Sequence, residues 1–543
     1  MVGMSQLIST TLSSPASPAC PFQRCRRSQA TAPRRPKAGR PAVISCESRP
    51  SERVDRREVL LVLGGMCTAG GLGVGRRGDA LALPIQAPNL SECQTAGTSS
   101  GNNCCPPYSA TILDYKFTPT GKLRVRRPVH KVDEAYLAKY KKTVELMRAP
   151  KCTAPIATAP TTNSWLFFPF HRFYLHFHER ILGKLIGDDS FIFTDPNSSL
   201  YDEYRDPAHK PPVVLDLDYG NKSDYVPPIP QQQINRNLSI MYRQMISNAK
   251  TTTLFMGQPY RAGDNADPGA GENTPHGPIH LWVGTPEPCY VDMGVFYAAG
   301  RDPIFYSHHA NVDRMWQVWK KLNPRNVDFK DRDWLDASFL CFPDILFYDE
   351  DARLVRVKVR DCLEPEMLEF TYQNVDLPWL SKRATPRATP AGKSRRGGRS
   401  CSNPRGGAAT FPLTLSSLAS ITLKRPKVSR PQAEKDKQEE TLVVNGIEFD
   451  PTNCVKFDVY VDDTDAGEVK PDDSEFAGSF VNVPHGKGHN EKMKSVKTTL
   501  RLGITDLLED LKLDDDDEIL VTLIPRTGKG KVKIERIRLE LSS

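Results

Sequence analysis

Beyond residue 82 the sequence has no excess of charge of either sign. The first 82 residues carry 13 Lys and Arg against 5 Asp and Glu, which accounts for the whole formal net charge of +8. Proteins that bind nucleic acid or anionic lipid through charge need a basic surface on their folded part. The balanced remainder therefore predicts no nucleic-acid partner.

The N-terminal segment has almost no acidic residues in its first part. Glu47 is the only acid within residues 1–50, which are rich in Ser, Ala, Pro and Arg, the composition of an organellar transit peptide. An Arg pair at 56–57 and the pattern ALA at 80–82 then enclose an apolar stretch, as in a twin-arginine export signal. We predict that residues 1–82 direct the chain to the thylakoid lumen of a chloroplast.

Long hydrophobic runs are also missing. The apolar stretch of the export signal, residues 59–74, is shorter than the roughly 20 residues that cross a bilayer, and it is rich in glycine. The sequence therefore predicts no stable membrane span.

Three of the cysteines lie just past the proposed cleavage point, where export would permit disulfide bonds. Cys104 and Cys105 are adjacent and cannot easily bond to each other, so that each needs a distant partner. Cys93 is available to one of them. We predict that these three residues form disulfide bonds.

Composition divides the rest of the chain into parts. Residues 83 to about 375 combine helical apolar spacing with Pro- and Gly-rich loops. Residues 381–440 are rich in Ser, Arg, Lys, Pro and Gly and predict a flexible basic linker that proteases can cut. Residues 441–543 alternate as strands do and predict a small β-sandwich or barrel. Helical spacing occurs in the segments 133–148, 173–186, 232–249 and 312–321. Strand patterns occur in the segments 441–449, 455–462, 495–501, 518–525 and 531–541.

Two segments place histidines at metal-binding spacing. The segment 272–280 reads ENTPHGPIH, and a helix would bring His276 and His280 to one face because they are four residues apart. Further along the chain, His308 and His309 are adjacent, so that only one of them can face a metal directly. Three neutral imidazoles favour copper or zinc over magnesium or calcium.

An aromatic run precedes these segments. Residues 163–172 read NSWLFFPFHR and would bury His171 in an apolar wall. His178 follows seven residues later and shares a helix face with His171, whereas His176 does not. We expect His178 to be a surface residue.

These motifs resemble those of the plant polyphenol oxidases, the catechol oxidase and tyrosinase family of type-3 copper proteins. The resemblance spans nearly the whole chain, including the segments DWL at 333–335 and KFDV at 456–459. It implies a mainly α fold with a tyrosinase-like helical-bundle copper domain and long loops over residues 83–325. Residues 326–380 would close its core, and a small C-terminal β domain would follow.

The resemblance implies two coppers, each held by three histidines. His276, His280 and His309 would hold the second copper, with His308 as an outer-shell neighbour. His171 would belong to the first copper site.

The implied reaction is the oxidation of o-diphenols to o-quinones, with O2 reduced to water and small phenols as substrates. Two Cu(I) ions can supply two electrons together, and the protein provides their spacing and an apolar pocket. By the same resemblance Glu272 would hold an active-site water, Phe296 would be an aromatic gate, and Asp313 would support the ligands from the outer shell. The C-terminal domain would shield the site until a protease cuts the linker; the alternative is a domain that only adds stability.

The first copper site departs from the family pattern. The family has a histidine nine residues before the position of His171, where this chain has Thr162, and residues 149–163 contain no histidine at all. The family's cysteine that forms a thioether with a histidine lies in the stretch that this chain lacks. The expected disulfide partner of one of Cys104 and Cys105 lies in the same missing stretch. A second gap follows Phe191, and an extra piece at 341–346 interrupts a further family segment.

Several alternatives follow from this incomplete site. Cys152 or His178 could replace a missing ligand. Alternatively, the chain is a catalytically impaired paralogue, or a misassembled gene product, that binds copper only at the second site. A zinc hydrolase with three histidines is a further hypothesis. An oxygen carrier is disfavoured, because Phe296 and the chloroplast address fit the plant enzymes.

Overall fold

The computed structural model describes most of the chain beyond residue 110, and within this part no helix is long and apolar enough to span a membrane. The predicted targeting segment, the predicted disulfide cysteines Cys93, Cys104 and Cys105, and Cys152 lie outside the described residues, as does the extra piece at 341–346. The described residues all fall in one compact unit, Ala82–Ser543. The described ranges are 111–118, 120–128, 131–148, 164–188, 202, 204–220, 228–261, 264–265, 267–286, 290–296, 298–337, 347–386, 409–462, 470–484 and 495–542.

The first domain is helical. Its helices are α1 (Glu134–Arg148), α2 (Phe167–Ile186), α3 (Pro230–Met245), α4 (Thr252–Met256), α5 (Gly277–Val283), α6 (Ile304–Leu322) and α7 (Arg332–Leu335). Helix α2 lies at the centre, with α1 and α6 packed against it. Every residue from Phe167 to Glu179 is buried, which is typical of a helix surrounded by protein rather than of one with a solvent face.

Short strands and α7 close this core. The strands are β1 (Leu113–Asp114), β2 (Arg124–Arg126), β3 (Phe347–Tyr348), β4 (Leu354–Arg356) and β5 (Phe370–Tyr372), arranged as a three-stranded sheet β1-β4-β3 and a parallel pair β2-β5. Trp334 of α7 is fully buried, and its indole N–H donates to the backbone oxygen of Trp165 over 3.1 Å.

The second domain is a β-sandwich. Its strands are β6 (Leu413–Thr414), β7 (Ala419–Lys424), β8 (Glu439–Phe449), β9 (Val455–Val461), β10 (Phe476–Asn482), β11 (Val496–Gly503), β12 (Glu518–Thr527), β13 (Lys533–Ile534) and β14 (Arg536–Ser542), with the helices α8 (Gln432–Lys435) and α9 (Thr505–Asp510). One sheet has the order β10-β9-β12-β7; the other has β11-β8-β13-β6, with β14 also paired to β8. Leu442 and Phe457, from opposite sheets, belong to one apolar core.

The observed architecture is the mainly α domain followed by a β-sandwich that the sequence predicted, but one predicted boundary is wrong. The linker was placed at 381–440 and the β domain at 441–543. Strands β6 and β7 and helix α8 fall inside that linker. Strand β7 reads ASITLK and lies at the edge of its sheet, and its burial alternates only in part, so its pattern did not stand out as a strand. The sandwich therefore begins near residue 409.

Candidate metal centre

Four buried histidines form a cluster between α5 and α6. Each of His276, His280, His308 and His309 offers one nitrogen, and these four nitrogens all lie within 4.8 Å of one another. The Nε2 atom of His280 lies 3.0 Å from that of His276 and 3.3 Å from that of His309. Such a convergence of imidazole nitrogens is the donor set that copper or zinc prefers.

Backbone carbonyls orient two of these rings. The Nδ1–H group of His276 donates to the oxygen of Glu272 over 3.1 Å, and that of His280 donates to the oxygen of Met293 over 2.7 Å. A hydrogen bond at Nδ1 fixes the tautomer and leaves Nε2 as the metal-binding atom. The backbone is kinked at Thr274, which has extended angles (φ −143°, ψ 128°), and α5 begins directly after His276.

Burial keeps the cluster neutral. It lowers the pKa of His280 to about 4, and it lowers the pKa of His276 and His309 well below 6.5, with neighbouring histidines adding to the shift. A neutral imidazole is the form that binds a metal. The residues present therefore fit one copper ion.

The structure brings His308 into the same group, although only one of the adjacent histidines was expected to face a metal. Its ring lies parallel to that of His276, with the centroids 5.3 Å apart, and it forms a hydrogen bond with the backbone of His276. Its Nε2 atom has no hydrogen-bond partner among the described residues. The outer-shell role of His308 stays a prediction.

His171 reaches the cluster from α2. Its ring lies parallel to the ring of His309, with the centroids 4.0 Å apart, and its Nδ1–H group donates to the oxygen of Phe167 over 2.8 Å. Burial lowers the pKa of His171 to about 3. One histidine does not make a three-histidine site, and residues 149–163 supply none. That the first copper site is incomplete therefore stays a prediction from the sequence.

Asp313, predicted to support the ligands, joins α6 to α2 and β2 through buried ion pairs. Its carboxylate accepts from Arg172 over 2.6 Å and from Arg126 over 3.3 Å, and it also accepts from the hydroxyl of Tyr372. Arg126 also donates two hydrogen bonds to Glu179 and one to the hydroxyl of Tyr372. This network holds the helices of His171 and His309 together.

Glu272 and Phe296 are both near the cluster. Glu272 is buried four residues before His276. The ring of Phe296 is half-buried, with its centroid 6.2 Å from that of His280. Their predicted roles, holding a water and gating the site, stay predictions.

The expectation for His178 was wrong, because this residue is buried. Its ring stacks on that of Tyr306, with the centroids 3.5 Å apart. His176 is also buried, against Tyr115 and Phe117. Neither residue belongs to the metal-binding group.

Strand β10 covers the site, and sequence reasoning missed this strand. The side-chain amide of Asn273 donates to the oxygen of Ser479, and its oxygen accepts from the N–H group of Val481 over 3.3 Å. A Cβ atom on Gly277 would lie 2.7 Å from Cγ1 of Val481. The N–H group of Phe296 donates to the oxygen of Pro484 over 3.3 Å.

Comparisons with protein families divide the chain in the same way. Residues 194–322 match the common central domain of tyrosinase, and residues 328–385 match the polyphenol oxidase middle domain. Residues 411–541 match the chloroplastic polyphenol oxidase C-terminal domain.

Similar proteins span almost the full length of the chain. A chloroplastic polyphenol oxidase from Malus domestica is 44% identical, with 98% of both chains covered. An aureusidin synthase from Antirrhinum majus is 43% identical over 89% of this chain and 93% of its own length. The solved structure of latent apple tyrosinase is 45% identical and covers 80% of this chain and 100% of its own, with a TM-score of 0.70. A latent aurone synthase gives a TM-score of 0.73 at 36% identity, over 84% of this chain and 99% of its own.

Proposed function

Because the chain belongs to the plant polyphenol oxidase family of type-3 copper proteins, we propose that it oxidises o-diphenols to o-quinones. Dioxygen takes up the electrons and is reduced to water, so that two diphenols are consumed for each O2. The observation that carries this proposal is the buried cluster of four neutral histidines beneath strand β10.

The side chains around the cluster have separate tasks in this proposal. His276, His280 and His309 would hold the second copper, and copper would supply the redox chemistry between the diphenol and dioxygen. Glu272 holds a water beside the ligands, and Phe296 limits the approach of the substrate to His280. The apolar surroundings exclude bulk water from the reacting ring.

We infer that the C-terminal domain keeps the enzyme latent. Asn273, Gly277 and Phe296 all contact the segment from Ser479 to Pro484, so that this segment occupies the side from which a phenol would approach. The segment that leaves the copper domain contacts the β domain at Thr385, whose backbone carbonyl accepts a hydrogen bond from the N–H group of Ser474. Activating proteolysis is therefore expected within 387–408, a narrower window than the composition alone indicated.

A second candidate function rests on His171. It is the one described histidine on the α2 side of the cluster, and no histidine precedes it within 149–163. In this alternative the chain is a catalytically impaired relative that binds copper at the second site alone. A single copper would not supply two electrons together.

Copper content and catechol oxidation, measured on one sample, test both candidates. The chain without residues 1–82 is loaded with copper, cut with trypsin, and assayed for quinone formation and oxygen uptake. His280→Ala is the control that should lose both copper and activity. Formation of two quinones for each O2 consumed supports the proposal. About one copper per chain without turnover supports the impaired relative instead.

We also propose the thylakoid lumen as the location. The twin-arginine pattern ahead of residue 82 supports it, and relatives such as the Malus domestica protein are named chloroplastic. Import into isolated chloroplasts, followed by fractionation, tests the location. A lumenal protein should resist protease that is added to the isolated thylakoids. Recovery of the imported protein in the stromal fraction would contradict the proposal.

A further inference from the structure

A cation of the β domain is paired with a carboxylate of the copper domain close to the metal centre. The ammonium group of Lys456 donates to Asp218 over 2.8 Å and to Asp458 over 2.5 Å. The Lys456 side chain is almost fully buried, whereas the Asp218 side chain keeps 19% of its surface exposed. Asp218 is therefore a carboxylate at the rim of the copper domain that the β domain covers with a positive charge.

An apolar surface lies beside this carboxylate. Tyr219, Leu281 and Trp282 of the copper domain, here called the aromatic shelf, form one buried cluster with Val481 and Val483 of the β domain. Leu281 and Trp282 directly follow His280, so that the shelf adjoins a metal-binding histidine.

The shelf is held rigidly. The ring of Trp282 is stacked on that of His209, with the centroids 3.7 Å apart, and Tyr219 meets it edge-on at 5.2 Å. His209 also donates from Nδ1 to the backbone oxygen of Trp282 over 2.7 Å. These contacts all lie within the copper domain, so we expect the shelf to keep its shape when the β domain moves away.

Strand β10 connects the two features. Ser479 donates to Asp218 over 3.4 Å, and Val481 lies against Gly277, next to His276. Ser479 and Val481 are two residues apart on an extended strand, a distance of about 7 Å along the strand. In a catechol with a two-carbon aminoethyl chain, the ammonium group lies at a similar distance from the hydroxyl-bearing edge of the ring.

From the charged and apolar side chains that the β domain places on this surface, we infer that the opened site prefers o-diphenols that carry a protonated amine. The diphenol ring would replace the side chains of Val481 and Val483 beside Gly277, and the ammonium group would replace that of Lys456 on Asp218. This inference rests on the proposed function, because it names the substrate class of the same site.

The local charge favours a cationic tail over an anionic one. Asp216 lies beside Asp218, and its carboxylate accepts a hydrogen bond from the backbone N–H group of Asp218 over 2.9 Å. A carboxylate tail would therefore meet two acidic groups, whereas an ammonium tail would form an ion pair. Exposed pairs of this kind change affinity only a few-fold. Attraction of one tail and repulsion of the other together predict a difference of about tenfold.

Ligand binding under argon tests the inference without turnover. The copper-loaded chain is cut in the linker, both fragments stay in the sample, and Trp fluorescence reports the binding of three probes. The probes are 2-(3,4-dihydroxyphenyl)ethylamine, 3-(3,4-dihydroxyphenyl)propanoate and catechol. We expect the amine to bind about tenfold more tightly than the propanoate. A ratio of two affinities does not depend on the fraction of molecules that have opened.

Asp218→Asn is the decisive variant, because it keeps the shape of the side chain and removes its charge. We expect it to reduce the amine-to-propanoate ratio several-fold, with Asp216 maintaining the rest and with catechol binding retained. Asp188→Asn is the matched control, since Asp188 pairs with Lys139 at the end of α2, and it should keep the preference. Equal binding of both tailed probes by the unchanged chain, or a preference that is undiminished in Asp218→Asn, would overturn the inference. Amine preference without quinone formation in air would instead contradict only the proposed function.

Discussion

The imidazole rings of His171 and His309 lie parallel, with their planes 11° apart and their centroids 4.0 Å apart. They belong to neighbouring helices, α2 and α6, whose spacing is fixed by the ion pair between Arg172 and Asp313. Among the described residues, His171 is the histidine of α2 that contacts the metal-binding group, and its ring also lies near that of His276, with the centroids 6.2 Å apart. The two sides of the candidate centre are therefore unequal, with four histidines on one side and one on the other.

Copper binding is expected to depend on the two sides unequally. His280→Ala removes a member of the four-histidine group and should weaken copper binding by more than about tenfold, since even outer-shell changes cost that much. His171→Phe keeps the aromatic stack and should leave the copper content almost unchanged. Titration with copper followed by metal analysis measures both variants. His176→Phe, on the same helix but packed against Tyr115, is the control. An equal loss in His171→Phe and His280→Ala would show that His171 is a ligand of the same metal.

Val481 is expected to maintain latency. Val481→Ala removes the methyl groups that lie against Gly277 and should raise the activity of the intact chain several-fold towards that of the cut chain, because the cover of the site is loosened. The ratio of intact to cut activity with catechol is the measurement. Val496→Ala, in a residue that is 39% exposed on β11, should leave the ratio unchanged. If the two variants behave alike, strand β10 does not control access.

Asp313 is expected to support both the fold and the metal. In Asp313→Asn the two arginines Arg126 and Arg172 lose a buried counter-charge, which should lower the free energy of unfolding by about 3–5 kcal/mol. Copper affinity should fall by about tenfold, because the helix of His309 is less well fixed. Denaturant unfolding and copper titration measure the two effects.

The control for this change is Asp336→Asn. Asp336 pairs with Arg332 and Arg360 near the surface, where such pairs contribute at most about 1 kcal/mol. A loss of stability in Asp313→Asn no larger than that of the control would contradict the supporting role.

The sequence predicted the helical and β-rich parts because their faces differ in polarity. Helix α6 and strand β8 were recognised, although α6 begins eight residues before the predicted segment 312–321. Strand β10 was missed because all seven of its residues are buried. It lies between the sandwich and the copper domain, so that neither face alternates with water.

At the candidate site, too, sequence patterns predicted only those residues whose spacing follows a regular period. Spacing identified His276 and His280 as a pair, because four residues correspond to about one helical turn. Spacing could not show that His178 is buried, since α2 is covered by protein around most of its circumference and no solvent face exists to set a period. The contacts of Asn273 with β10 join residues about two hundred positions apart, a distance at which local pattern carries no signal.

Acid is expected to weaken the β domain through Asp458. Burial alone would raise the pKa of this carboxyl, but Lys456 and Arg526 lower it to about 2. A lowered pKa stabilises the folded state above the usual value near 3.8, and this contribution is lost as the pH falls through about 2. Asp218 acts in the opposite direction. Burial raises its pKa to about 6, despite Lys456, and its contribution is complete below pH 4 and lost as the pH rises through 6.

Asp458→Asn separates these two effects. At pH 7 it leaves Lys456 and Arg526 with an uncharged buried neighbour, and the free energy of unfolding should fall by about 3–5 kcal/mol. Between pH 4 and pH 2 the variant should lose less stability than the unchanged chain, because the carboxyl that takes up a proton is gone. Urea unfolding at a series of pH values measures both. Asp515→Asn, at an exposed carboxylate bonded to Ser429, should reproduce the unchanged chain within about 0.5 kcal/mol. An unaltered acid dependence in Asp458→Asn would mean that other carboxyl groups set the acid limit of the β domain.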